Sequence, residues 1–162
     1  MVAGGVNPCS DPTAANCSAE KTAEQKLQAN GNILINGQSS YQCVAGSCPT
    51  QVAGLSQAVQ SGVTALQADC GCTLNITGGS EAHGNTTSGT DPHAAGNAVD
   101  IAESPSLDDT ISPTPNPSDC QKISFTANGQ SGTALYEKAS TQGGSGCGGP
   151  APTSTHWHIS FP

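Results

Sequence analysis

Apolar and polar positions along this chain follow two periods, and each period predicts an element. Val52, Leu55, Val59, Val63 and Leu66 recur at three- and four-residue steps, which makes one apolar stripe of the kind a helix buries. An earlier helix is predicted from Ser18 through about Ala29, with Ser18 as its cap, Glu20 in its first turn and Asn30-Gly31 as its stop. Strict alternation marks residues 72–77 and the last segment, His156 to Phe161, as strands. Shorter strand candidates lie at 32–36, 98–101 and 122–125, and residues 133–140 read as a short helix. Pro105, Pro113, Pro115 and Pro117 predict a surface loop over 103–119. Gly- and Thr-rich or Gly- and Pro-rich loops are expected from 78 to 92 and from 143 to 153. There is no internal repeat and no regular βαβ spacing. The reading is therefore α+β: a small, mostly antiparallel sheet with a few flanking helices.

Composition adds crosslinks to this picture. A chain of 162 residues suits one domain, but only 34% of it is hydrophobic and 3% aromatic, a thin supply for a core. Eight cysteines, at positions 9, 17, 43, 48, 70, 72, 120 and 147, read as a disulfide framework formed in an oxidising, extracytoplasmic compartment. The rival reading, thiolate zinc sites, wants CxxC-type pairs, and none is present. Cys9–Cys17, Cys43–Cys48 and Cys120–Cys147 are the pairings guessed from spacing, with Cys70 and Cys72 left without an assigned partner. Residues 1–17 are expected to be an irregular arm pinned by a disulfide, and residues 18–162 the single domain.

Charge narrows the partners. The formal net charge is −8, with four lysines and no arginine. This disfavours nucleic acid, which demands clustered cations, and anionic membrane surfaces. No apolar run approaches the ~20 residues of a membrane span. No charged head or apolar stretch follows Met1, so no signal peptide is read. If the protein is exported, its numbering is expected to begin after processing or within a larger polypeptide.

The four histidines lie in two patches: His83 and His93 in the central loop, and His156 and His158 on the last strand. On a strand, residues two apart leave the same face, so His156 and His158 point together while Trp157 points to the core. Asp100 follows His93 by seven residues, with the small Gly96 and Ala98 between them, which leaves room for a close approach. Two imidazoles and a carboxylate leave one position of a tetrahedral ion open, the arrangement of catalytic zinc. A lone histidine, or HxH alone, is an ordinary feature; here every histidine is spent on the same two segments.

These residues resemble a family. His93-Ala94-Ala95-Gly96-Asn97-Ala98-Val99-Asp100 is similar to the HxxGxAxD pattern of the zinc D-alanyl-D-alanine peptidases, of related peptidoglycan endopeptidases, and of the Hedgehog signalling domain that shares their fold. His156-Trp157-His158 resembles the family's closing HxH, and Ile76-Thr77-Gly78-Gly79 the strand and turn before the first motif. The resemblance covers residues 72–161, and only the two motifs are specific. It implies one Zn2+ per chain held by His93, Asp100 and His158, with His156 beside it as a catalytic group. It also implies a peptidoglycan peptide as substrate and metal-assisted hydrolysis as the reaction.

The chain departs from the family in several places. An Arg that grips a substrate carboxylate is missing, and Lys is a poor geometric substitute, so internal cleavage is favoured over removal of a free C-terminal residue. Thr155 stands where many relatives carry a Glu base, and Asp91 where they carry a Ser. Glu81, His83, Asp91 and Glu103 are candidate stand-ins near the site. The departures keep alive a second reading, a catalytically silent metal-binding or structural module, and the low-charge, Ser-, Thr- and Gly-rich composition with its cysteines suits a third, a subunit of an extracellular assembly.

Overall fold

The computed structural model describes residues 15–43, 48–81, 93 and 95–162. Its elements in order are α1 (Ala15–Gln28), β1 (Ile33–Ile35), α2 (Gln57–Cys70), β2 (Leu74–Gly78), β3 (Ala98–Ala102), α3 (Pro105–Ile111), β4 (Lys122–Ala127), β5 (Gln130–Glu137) and β6 (His156–Ser160), with a short 3-10 turn at Ser140–Gln142 before β6. The class is α+β. The six strands form one sheet in the order β1-β2-β3-β6-β5-β4. It is mixed rather than the mostly antiparallel sheet expected, because β1 runs parallel to β2, whereas β2–β3, β3–β6, β6–β5 and β5–β4 are antiparallel. Residues 36–73 join β1 to β2 and contain α2, the long crossover that a parallel pair requires.

One face of the sheet is the core. Ile33, Ile35, Leu74, Ile76, Val99, Ile101, Trp157, Ile159, Ala134, Tyr136, Ile123 and Phe125 are all buried in one cluster, the alternate residues of their strands. Helices α2 and α3 cover the β4–β5 part of this face. Ser56 caps α2 by accepting from Val59 N–H, and Gly71, left-handed at φ 61°, ends it. Close packing is visible at Gly62, where a Cβ would lie 2.4 Å from the Phe161 ring.

Two predicted segments take a different form. The stretch 103–119 holds a helix, because its first proline occupies the first turn, where a missing N–H costs nothing. Ser104 caps that helix, and Leu107 and Ile111 are buried four residues apart. Residues 133–140 belong to no α-helix. Residues 130–137 are strand β5, with buried and partly exposed positions in alternation. The Asn128-Gly129 pair, both at positive φ (47° and 82°), turns β4 into β5 as a tight hairpin.

Among the described residues, Cys43–Cys48, Cys70–Cys72 and Cys120–Cys147 lie at disulfide distance, with Cα separations of 4.2, 5.1 and 5.3 Å. The expected Cys9–Cys17 pair involves Cys9, outside the described residues. Residues 15–17 of the expected irregular arm belong to α1, which begins before Ser18. No helix among the described residues is long and apolar enough to cross a membrane.

Candidate metal centre

The opposite face of the sheet carries the histidines, and strand register assembles them. Asp100 on β3 stands opposite His158 on β6, and Ala102 opposite His156. On the other flank of β6, Glu137 of β5 stands opposite His156. Alternation therefore delivers Asp100, His156, His158 and Glu137 to one surface. An irregularity in β2 between Ile76 and Gly78 brings Gly78 opposite Asp100, so a residue without a side chain flanks the carboxylate.

His93 arrives from a turn. Gly96, at φ 75°, donates its N–H to the His93 carbonyl at 2.8 Å and accepts from Ser56 N–H at 2.9 Å. A Cβ on Gly96 would meet the Gly54 carbonyl at 2.0 Å, so only glycine lets this turn lie against the entrance to α2. The ring of His93 is aimed by its Nδ1, which lies 2.8 Å from the Gly79 carbonyl. A carbonyl only accepts, so Nδ1 carries the proton and Nε2 presents a lone pair. Gly79 is itself fixed. Glu81 accepts from the N–H groups of Gly79 (2.8 Å) and Gln51 (2.8 Å), and Glu20 accepts from Val52 (2.7 Å) and Ala53 (2.9 Å).

Three donor atoms converge. His93 Nε2 lies 3.0 Å from His158 Nδ1 and 3.2 Å from Asp100 Oδ1, and His158 Nδ1 lies 3.1 Å from Asp100 Oδ1. His93 and Asp100 are buried, at 5% and 8% exposure. Zinc at about 2.0–2.2 Å from nitrogen and oxygen donors separates tetrahedral ligands by roughly 3.3–3.6 Å. The three atoms match one face of such a tetrahedron to within a few tenths of an ångström. With His93 Nε2 and Asp100 Oδ1 both offering lone pairs, the cluster has more acceptors than protons and calls for positive charge at its centre. These residues could hold a metal ion.

The electrostatics of the polypeptide alone point the same way. Burial raises the Asp100 carboxyl, but hydrogen bonds with His158 and His93 and the charges of His93 and His156 outweigh it and hold its pKa well below the ordinary value. Burial disfavours a charged His93, yet the adjoining Asp100 raises its pKa. At His156 burial again opposes charge, and the Glu137 hydrogen bond with the Asp100 charge pushes the pKa up to about 9. Without a metal, protons answer the same demand for positive charge that a cation would.

The structure sorts the other candidates. His156 lies beside the triad, its Nε2 3.1 Å from Glu137 Oε2 and 3.6 Å from Asp100 Oδ2. Glu81 sits behind His93, holding the Gly79 backbone. Glu103 accepts the Tyr136 hydroxyl on the core face, away from the histidines. Thr155 takes no part, since its hydroxyl accepts from Ala139 N–H at 3.0 Å and lies 2.8 Å from Gln142 Oε1. His83 and Asp91 lie outside the described residues. Glu137 is the site residue that sequence reasoning missed. Its signal was the Asn-Gly hairpin, which would have made 130–137 a strand pairing with the HxH segment.

Two further acidic groups include cysteines, Glu20 with Cys43 and Cys48, and Asp119 with Cys120 and Cys147. Each cysteine there pairs with the other at disulfide distance, which withdraws the thiolates a metal would need. No protein-family model matches the chain, and neither does any curated protein or solved structure at a significant level.

Proposed function

We propose that this chain is a zinc-dependent extracytoplasmic peptidase that hydrolyses peptide bonds in peptidoglycan cross-links or stem peptides. The observation that carries the reading is the triangle of His93 Nε2, His158 Nδ1 and Asp100 Oδ1, closed at 3.0–3.2 Å on a buried sheet face. The two motifs that resemble the zinc D-alanyl-D-alanine peptidases supply the substrate class. Zinc held by these three residues would supply Lewis acidity, polarising a carbonyl and lowering the pKa of water toward ~7.

The chain's own side chains divide the remaining work. His93 and His158 are the neutral donors and Asp100 the anionic one, with His93 locked in orientation by Gly79. His156 places a positive imidazole beside the triad, where it can stabilise a developing oxyanion or deliver a proton. Glu137 holds that imidazole and contributes the carboxylate that position 155 lacks. With no arginine in the chain, a bidentate grip on a free C-terminal carboxylate is absent, which favours internal bonds. Zinc-loaded protein incubated with purified peptidoglycan should release new amino termini and shift the muropeptide profile. An unchanged profile, with zinc bound, would sink the peptidase reading.

A second reading is a silent metal-bearing module in an extracellular assembly. It is favoured by the commitment of Thr155 to Ala139 and Gln142 and by the engagement of both His156 nitrogens, with the Ser154 carbonyl at 3.0 Å and Glu137 at 3.1 Å. Metal binding without cleavage of any muropeptide would select it.

A further inference from the structure

The triad uses one oxygen of Asp100. Its other oxygen, Oδ2, accepts no hydrogen bond among the described residues, although the side chain is only 11% exposed. Oδ2 faces His156 Nε2 at 3.6 Å, beyond hydrogen-bond reach, and Glu137 Oε2 approaches the same nitrogen at 3.1 Å. His156 is wired as His93 is. Its Nδ1 lies 3.0 Å from a backbone carbonyl, that of Ser154, so Nδ1 carries the proton and Nε2 is turned toward carboxylate oxygens. Metal-binding histidines are held in this way, the outward N–H tied to a carbonyl and the other nitrogen aimed at the ion.

We infer that the centre is binuclear: a second divalent cation binds between His156 Nε2, Glu137 Oε2 and Asp100 Oδ2, with the Asp100 carboxylate bridging it to the first. Each of these three residues offers one ligand atom within 4.8 Å of those of the other two. The donor set of one imidazole and two carboxylate oxygens suits zinc, manganese or cobalt. It carries less nitrogen than the first seat and is the weaker of the two. A cation there replaces the proton on His156 Nε2 and puts a larger positive charge at the same point. Paired ions clamp both the attacking and the departing atoms in two-metal hydrolases. The inference rests on the metal reading of His93, Asp100 and His158, not on the peptidase reading.

Metal-free protein titrated with cobalt(II), followed by calorimetry and by the visible absorption of the bound ion, tests it. Two equivalents per chain are expected, the second weaker than the first. Glu137→Gln should abolish the second step and keep the first, which also shows that the variant is folded. The loss should exceed the roughly 10–100-fold that removal of an outer-shell partner costs. Saturation of the wild type at one equivalent, or a second step unchanged in Glu137→Gln, overturns the binuclear centre and leaves the mononuclear one standing. No binding at all overturns both.

Discussion

Gly78 on β2 stands opposite Asp100 on β3, and a Cβ on Gly78 would lie 2.6 Å from Asp100 Oδ2. The carboxylate keeps its place because this neighbour has no side chain. Gly78→Ala should push Asp100 out of the triangle it makes with His93 and His158. Zinc affinity, read by competition with a chromogenic chelator, should fall at least about tenfold, in the range seen when support for a metal ligand is lost. An unchanged affinity would show that Asp100 is not held as described.

Under the site, Trp157 Nε1 donates to Asp108 Oδ1 at 2.7 Å, tying β6 to α3 through a side chain with no exposure. Asp108→Ala leaves the buried indole N–H unpaired and should cost about 1–3 kcal/mol in urea unfolding. Asp108→Asn, which keeps an acceptor oxygen, should cost less. Equal losses in the two variants would show that the hydrogen bond is not the source.

Glu24 is fully buried on α1 and receives Gln42 Nε2–H at 2.9 Å, while Glu24 Oε2 and Gln42 Oε1 have no hydrogen-bond partner among the described residues. Burial, opposed by the Gln42 bond and aided by the charge of Glu20, pushes the Glu24 pKa up to about 7. The folded state therefore binds more protons than the unfolded state between the ordinary value of 4.5 and about 7. The stabilisation from this group is full below that window and is lost as pH rises through it. Glu24→Gln should flatten the fall in melting temperature across the window. Above it the variant should exceed the wild type by on the order of 2 kcal/mol or less. A wild-type stability that rises from pH 5 to pH 7.5, with no difference in the variant, would contradict this.

Cys120 and Cys147 close a loop with a sequence separation of 27. Chain-entropy reasoning assigns such a crosslink roughly 3.5 kcal/mol at 25 °C. The double variant Cys120→Ser, Cys147→Ser should lose stability of that order, and reduction of the wild type, which also opens Cys43–Cys48 and Cys70–Cys72, should lose at least as much. The loop carries β4 and β5, whose Glu137 pairs with His156, so metal affinity should fall with it.

The legible parts of the fold were those in which a short pattern meets a local rule. Of the stripe Val52, Leu55, Val59, Val63 and Leu66, the last three lie in α2 and the first two precede it, and the alternation of His156, Trp157 and His158 gave β6 and its two faces. Four prolines over 103–119 suggest one loop, but Pro105 differs from the other three because a first-turn proline with Ser104 before it opens a helix. The helix expected over 133–140 conflicts with the Asn128-Gly129 turn, which makes Leu135 and Glu137 strand residues. Glu137 was thereby lost from the site, since its neighbourhood with His156 exists only through cross-strand register. The Gly79 carbonyl that aims His93 was out of reach for the same reason. A backbone contact across fourteen residues leaves no mark in side-chain identity.

The most direct test is a zinc titration of dialysed protein, comparing the wild type with His158→Ala and with Asp100→Asn. The first equivalent should bind the wild type with micromolar or tighter affinity, and each variant should lose at least about 100-fold, since each removes an inner ligand rather than its support. Wild-type protein that binds no zinc, or variants that bind the first equivalent as the wild type does, would contradict a metal centre built on His93, Asp100 and His158.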